Sequence, residues 1–263
     1  MKKIKISLVL TLSINLLSYS QISEREVTEY AINNIKEFVE FLSYPNDANY
    51  KEDIEELIDW TSNRFNRLGF KSKRLETESI PLLLAESVYN KNYSTILIYL
   101  HLDGQPVDKS KWFQDDPFTP VLKRPNSSGE YRIIDWENLN NKTIKKLDNE
   151  DIRIFARSSS DAKGPVMMLI NAIEIMSLNN LEPKFNIKLI MDFEEEKSSP
   201  SLPSAVIKYA NELESSGLLI FDGPQHSSGL PTLNFGNRGI SKITLTTYGP
   251  IVPQHSGHFG NYA

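Results

Sequence analysis

The 263-residue sequence contains no cysteine, which excludes disulfide bonds, thiolate chemistry and a lipidated N-terminal cysteine. Lysine and arginine occur only in short local runs and the net charge is −5, so the sequence lacks the basic footprint of a nucleic-acid-binding protein. A G-x-S-x-G elbow and a glycine-rich phosphate loop are also missing, which argues against a serine hydrolase and a nucleotide-binding protein. Because disulfide bonds are excluded, the stability of the fold must come from an apolar core, a metal or a partner.

The composition is that of an ordinary globular protein. Hydrophobic residues make up 40% of the chain and charged residues 24%, which is enough apolar material for a sizeable core. We expect one large domain, or one domain and a piece of another.

Residues 1–20, "MKKIKISLVLTLSINLLSYS", resemble a secretory signal peptide. The lysine-rich start is followed by an apolar stretch shorter than the ~20 residues of a membrane-spanning helix. We therefore expect a secreted or periplasmic protein with no membrane association after cleavage. Loss of three lysines with this segment would leave a distinctly acidic mature chain.

Two amphipathic helices are predicted next. The stretch "SEREVTEYAINNIKEFVEFLSYP" has helical spacing of its apolar residues, with Ser23 and Glu26 forming a capping pattern and a proline at its end. The stretch "EDIEELIDWTSNRFNRLGF" follows as a second helix that ends at Gly69, and "KSKRLE" begins strand-like alternation.

Three apolar runs, "STILIYL", "FNIKLIM" and "GLLIF", are typical of strands buried on both faces. Helical patterns separate them, so the order predicts an α/β fold with a doubly wound, mainly parallel sheet and flanking helices. Residues 104–157 are polar and weakly periodic, and we predict a long excursion at the sheet edge. Further on, "ISKITLTTY" alternates like a strand with one exposed face.

Each predicted parallel strand is followed by a side chain that can bind a metal. His101 and Asp103 follow the first strand, three glutamates follow the second, and Asp222 follows the third. Carboxyl ends of parallel strands meet at one edge of a sheet, where Asp161 would join from the loop before the next helix. One imidazole and several carboxylates at one edge fit a divalent metal site for hydrolysis.

Each of these signals is weak when taken alone. A glutamate triplet is usually a solvated turn, and a His-x-Asp pair is usually a structural hydrogen bond. Their joint position at strand ends is the argument for a site.

Several motifs then occur in the order found in a known family. "YLHLDGQPVD", "DPFTPVL", "RIFARSSSDAKGPV", "FEEEKSSPSL", "FDGP", "NRGI" and "QHSGHFG" resemble the carnosinase, aminoacylase and glutamate-carboxypeptidase family of di-zinc metallopeptidases, from about residue 30 to the last residue. The resemblance implies a catalytic domain over residues 21–230 and the start of an α+β lid or dimerisation domain over residues 231–263. It also implies two divalent ions, with zinc expected and manganese or cobalt as alternatives.

The resemblance assigns the metal ligands residue by residue. His101 and Asp222 would bind the first ion, Asp161 would bridge both ions, and Glu196 would bind the second ion. The peptide bond after Asp161 would be cis.

The resemblance also assigns the residues that act on the substrate. Glu195 would be the general base, and Asp103 would orient the His101 imidazole. His255 would reach the oxyanion of the tetrahedral intermediate, usually across a dimer interface. His226 and His258 have no matching role.

This sequence departs from the family pattern in two ways. Ser158 and Ala162 replace a glycine and a second aspartate, respectively. Family members also continue through the lid and back to the catalytic domain, where a late histidine completes the second metal site. We therefore expect a C-terminally truncated chain with low or no activity, whose second ion would have only Asp161, Glu196 and water.

The leading hypothesis is thus a metal-dependent hydrolase of peptide or N-acyl-amino-acid bonds, with a small peptide or an N-acyl amino acid as substrate. The alternative is a non-catalytic module that retains the fold and a metal. Relatives of full length are expected to be homodimers through the lid, and this interface is doubtful here. The residues alone choose neither the substrate nor the metal.

Overall fold

Helices α1 (Glu24–Asn33), α2 (Ile35–Ser43) and α3 (Lys51–Arg67) open the described part of the computed structural model, which comprises residues 22–139, 151–223, 226–230, 232–236, 239–241 and 243–248. Ser23 caps α1 through the predicted capping box with Glu26. The single helix predicted here is broken at Asn34, whose side chain donates to Asn171 Oδ1 at 3.2 Å. This break separates α1 from α2.

The central sheet contains strands β1 (Lys71–Leu75), β2 (Leu82–Glu86), β3 (Thr95–His101), β7 (Asn186–Asp192) and β8 (Gly217–Ile220), in the order β1-β2-β7-β3-β8. Strands β7, β3 and β8 are parallel, and β2 and β1 continue the sheet in antiparallel pairs. The three predicted parallel strands are therefore confirmed. Strand β2 was missed, because its apolar run "LLLAE" follows a strand-like segment too closely to stand out.

Apolar side chains cover both faces of this sheet. Ile98 and Leu100 point into the larger core cluster, together with side chains from α2, α3 and α4 (Lys163–Leu178). Leu97 and Tyr99 pack on the opposite face, against a smaller cluster near α5 (Leu202–Lys208). Burial on both faces explains the nearly continuous apolar runs of β3 and β7. For "GLLIF" this expectation was wrong, because β8 lies at the edge of the sheet and exposes Leu218 and Ile220.

The excursion over residues 104–157 contains a small antiparallel sheet of its own. Strands β4 (Val121–Pro125), β5 (Tyr131–Ile134) and β6 (Arg153–Phe155) pair in the order β5-β4-β6. The sequence analysis did not predict these strands. They are short and mostly half-exposed, so their hydrophobic pattern is weak.

The chain divides into two units, residues 1–222 and 223–263. Within the second unit, the described residues form no helix or strand, so the strand predicted in "ISKITLTTY" is absent from residues 243–248. The boundary predicted between residues 230 and 231 stays a prediction. None of the helices in the described ranges has both the length and the apolar character that crossing a membrane requires.

Candidate metal centre

The carboxyl ends of β3, β7 and β8 lie at one edge of the central sheet. His101 is paired in register with Asp192, and Tyr99 is paired with Ile220. Strand β2 runs the other way, so the segment that precedes it reaches the same edge. The topology thus assembles residues that lie about 100 positions apart in the sequence.

His101 is the most deeply buried of the candidate ligands, with an exposed fraction of 1%. Its Nε2 lies 3.0 Å from Asp161 Oδ1 and 3.9 Å from Asp222 Oδ1, and its Nδ1 lies 3.5 Å from Asp103 Oδ1. Neither ring nitrogen is in hydrogen-bonding geometry with any partner. Burial lowers the pKa of the imidazole, but the surrounding carboxylates outweigh burial and raise this pKa to about 9.

These residues fit a metal ion. Buried polar groups normally have hydrogen-bond partners, and a buried imidazole without one, facing carboxylates, suits a cation. His101, Asp161 and Asp222 can each direct a ligand atom to positions within 4.8 Å of one another. The three predicted ligands of the first ion are therefore brought together, although their roles as ligands stay predictions.

Asp103 contacts more than the imidazole. Its carboxylate is completely buried, and it accepts hydrogen bonds from the backbone amides of Glu195 (3.1 Å) and Glu196 (3.0 Å). At 3.5 Å, its approach to His101 is longer than a normal hydrogen bond. Asp103 thus holds the backbone of the predicted base and of the predicted second-ion ligand.

The acidic turn, which we define as residues 194–199, carries both of those carboxylates. Glu195 is partly exposed and reaches to 4.0 Å from His101 Nδ1. Burial is the largest cause of a raised pKa of Glu195; His101 lowers this pKa, and the nearby carboxylates raise it. Glu196 does not join the three-residue cluster, and its carboxylate instead accepts a hydrogen bond of 2.6 Å from Gln105.

Glu194 differs from its two neighbours because its side chain is buried, with an exposed fraction of 2%. Its carboxylate accepts hydrogen bonds from Ser79 Oγ at 2.8 Å and from the Ile80 amide at 3.3 Å. The sequence analysis gave Glu194 no role. Its only sequence signal is its position immediately after a buried strand.

The loop that carries Asp161 is packed tightly against the loop after β3. The peptide bond between Asp161 and Ala162 is cis, as the family resemblance implies. Ser158 has a φ of 58°, a left-handed conformation that favours the glycine usual in the family. Its hydroxyl accepts a hydrogen bond from Asn46 Nδ2 at 2.9 Å, and Asn46 Nδ2 also donates to Leu102 O.

Lys163 begins α4 directly after this loop and is completely buried. Its Nζ donates to the backbone carbonyls of Phe41 (3.0 Å) and Tyr44 (2.5 Å) at the end of α2. Neither Lys163 nor Asn46 was predicted as a site residue. Both sit in segments whose polar pattern does not distinguish a buried side chain from an exposed one.

Some predicted features lie outside the described residues. These are His255, the signal peptide over residues 1–20, and residues 251–263 of the proposed lid. His226 is described, and its Nδ1 lies 2.8 Å from Ser228 Oγ in a local turn.

The chain thus combines a mainly parallel α/β sheet with a buried histidine and carboxylates beyond its strand ends, a set of side chains that can bind a divalent metal. No family model matches the chain. Among curated proteins, the Cys-Gly metallodipeptidase dug1 of Schizosaccharomyces pombe is 27% identical over 228 residues, which cover 81% of this chain and 42% of the relative. The Beta-Ala-His dipeptidase of Mus musculus is 29% identical over 182 residues, which cover 68% of this chain and 32% of the relative.

Solved structures give the same result. A metallo-carboxypeptidase of the M20 family from Sulfolobus solfataricus is similar with a TM-score of 0.56 and 27% identity, over 79% of this chain and 39% of that one. Human carnosine dipeptidase 1 has a TM-score of 0.57 at 21% identity, over 74% of this chain and 40% of that one, which supports the fold alone.

The predicted family resemblance is confirmed, since the homologues of this chain are dipeptidase-like metallopeptidases of the M20 family. The fold is likewise that of the catalytic domains of this family. The matched region spans about a third to two fifths of the length of these curated relatives.

Proposed function

We propose that this chain supplies the catalytic face of a metal-dependent hydrolase that cleaves the amide bond of dipeptides or N-acyl amino acids. The observation that carries this proposal is the buried His101, whose ring nitrogens lack hydrogen-bond partners and whose Nε2 faces Asp161 and Asp222. The names of the relatives, Cys-Gly and Beta-Ala-His dipeptidases, supply the substrate class.

His101, Asp161 and Asp222 would hold a first divalent ion, and Asp161 with Glu196 would hold a second. Zinc is proposed because imidazole and carboxylate ligands suit it, and manganese or cobalt would be accepted by the same ligands. When bound, such ions polarise the substrate carbonyl and make water a stronger nucleophile near neutral pH.

The residues of the chain would orient the reactants and move the proton. Glu195 lies at the open side of the site, and its raised pKa suits a carboxylate that takes a proton from water and passes it to the leaving amine. Asp103 would keep Glu195 in place through its backbone amide. For the oxyanion, His255 remains the proposed donor by family resemblance.

Export through residues 1–20 is a further part of this proposal, and a homodimer formed through the lid is proposed for relatives of full length only. Both depend on the sequence pattern and the resemblance. Detection of the mature N-terminus after expression with its leader would test export, and light scattering would test dimerisation.

A second candidate is a metal-binding module without catalytic activity. The position of Glu196 favours it, because this carboxylate contacts Gln105 and stands apart from the cluster around His101. In that case the first ion would bind and the second would not.

The experiment that separates the two candidates measures bound metal and dipeptide hydrolysis with the purified chain. Wild type and Glu195→Gln are loaded with zinc, manganese or cobalt and assayed with Cys-Gly and β-Ala-His. Turnover by wild type that is lost in Glu195→Gln, with equal metal content in both, supports the hydrolase. One bound ion per chain without turnover supports the module, two bound ions per chain without turnover support a hydrolase of low activity, and absence of metal binding refutes both.

A further inference from the structure

We propose that Glu194 is a positioning residue, whose buried carboxylate anchors the acidic turn and thereby sets the positions of Glu195 and Glu196. This inference rests on the proposed function for its link to chemistry. Its structural basis is the set of contacts that Glu194 makes on both sides of the turn.

The side chain of Glu194 joins three segments. Its Oε1 accepts the Ser79 hydroxyl and lies 3.7 Å from Lys197 Nζ, while its Oε2 accepts the Ile80 amide and the Ser201 hydroxyl (3.4 Å). Ser79 and Ile80 precede β2, and Ser201 precedes α5. The carboxylate of Glu194 therefore links the acidic turn to the segment before β2 and to the segment before α5.

The backbone of Glu194 fixes both ends of the turn. Its amide donates to Asp192 Oδ1 at 2.9 Å, and its carbonyl accepts from Lys197 (3.1 Å) and Ser199 (2.9 Å). The next two amides donate to Asp103. Three successive amides thus donate to buried carboxylates, and the side chain of Glu194 adds a link from this array to the segment before β2.

Burial makes these contacts demanding. A buried carboxylate is stable only when it is well hydrogen-bonded, and hydrogen bonds to a charged group are about twice as strong as neutral ones. A hydrophobic residue at position 194 could fill the same space, but it would leave the Ile80 amide unpaired. The geometry points to a specific polar anchor at the base of the turn.

The test compares Glu194→Gln with a matched control at the other end of the same strand, Asn186→Asp. Asn186 is 4% exposed, and its side chain bonds Asn90 (2.7 and 3.0 Å) and the Tyr93 carbonyl (3.0 Å). Both substitutions are nearly isosteric and disturb a buried polar group. Of the two residues, only Glu194 belongs to the acidic turn.

Hydrogen exchange of the metal-free proteins, followed by mass spectrometry, is the first measurement. In Glu194→Gln, peptides that cover residues 77–81 and 193–201 should exchange about tenfold faster, because the charge-assisted contacts are lost together. In Asn186→Asp these peptides should exchange as in wild type. Ser79→Ala, which removes one partner without changing the turn, should give a smaller effect of the same kind.

Zinc titration is the second measurement. Loss of a hydrogen bond that orients a metal ligand typically lowers metal affinity 10–100-fold. We expect Glu194→Gln to weaken by this factor the part of zinc binding that depends on Glu196, which is the part lost in Glu196→Gln. Unchanged exchange of the acidic turn in Glu194→Gln, or equal changes in Asn186→Asp, would overturn the inference. Wild-type protein that binds no zinc would instead refute the proposed function, while exchange would still decide the role of Glu194.

Discussion

Replacement of Asp103 with asparagine tests how the base and the second-ion ligand are held. The carboxylate of Asp103 is completely buried and accepts two backbone amides, at 3.1 and 3.0 Å. Asparagine has one acceptor oxygen, so one amide would face the new NH₂ group without a partner. A hydrogen bond to a charged group contributes ~1.5–3 kcal/mol, and a buried donor left unpaired costs ~1–3 kcal/mol.

We therefore expect Asp103→Asn to lower the free energy of unfolding by about 3 kcal/mol. Urea denaturation of the metal-free protein, followed by tryptophan fluorescence, measures this loss. Asp108→Asn is the control: this exposed aspartate also accepts a backbone amide, from Ser110 at 3.1 Å, and asparagine can keep that bond. A change of less than about 0.5 kcal/mol in Asp103→Asn, within the usual range of surface substitutions, would refute the reasoning.

Three further substitutions test the packing around the site. Arg64→Met leaves two glutamates on neighbouring helices without their buried partner. We expect the free energy of unfolding, measured by urea denaturation, to fall by about 3 kcal/mol. An unchanged denaturation midpoint would contradict a stabilising role of these two ion pairs. Gly104→Ala places a methyl group against Ser158 Oγ and the Asn46 amide. We therefore expect the free energy of unfolding to fall by about 1–3 kcal/mol and zinc binding to weaken. Wild-type values for both quantities would show that the two loops move apart freely. Phe193→Ala removes a completely buried ring and should cost about 3–5 kcal/mol in the same assay, while Phe193→Leu should cost much less.

Part of the candidate site was predictable because parallel strands end at one edge of a sheet. Apolar runs predicted β3, β7 and β8, and parallel order then placed His101 and Asp222 at one edge. The burial of Glu194 and Lys163 was not predictable, because charged residues give no pattern when they are buried singly against backbone groups. Such contacts depend on loops that come from distant parts of the chain.

The weaker parts of the fold prediction have a common cause. Strands β4, β5 and β6 are short and half-exposed, so local alternation carries little information about them. At the break, Asn34 contacts Asn171, which is 137 residues away, and local sequence patterns carry no information about such a contact. In contrast, the capping box at Ser23 is entirely local and was predicted correctly.

The position of β7 between β2 and β3 has a consequence for how the chain folds during synthesis. Strands β2 and β3 are neighbours in sequence, but each pairs with β7, and neither pairs with the other. The ribosome must therefore release 91 further residues after His101, up to Asp192 at the end of β7 (192 − 101 = 91), before the centre of the sheet can close. Until then the apolar segment "TILIYLH" has no strand partner, and such delayed, non-local pairing slows folding and exposes nascent chains to aggregation. Chaperone binding during translation should accordingly concentrate on β3 and end once β7 has emerged.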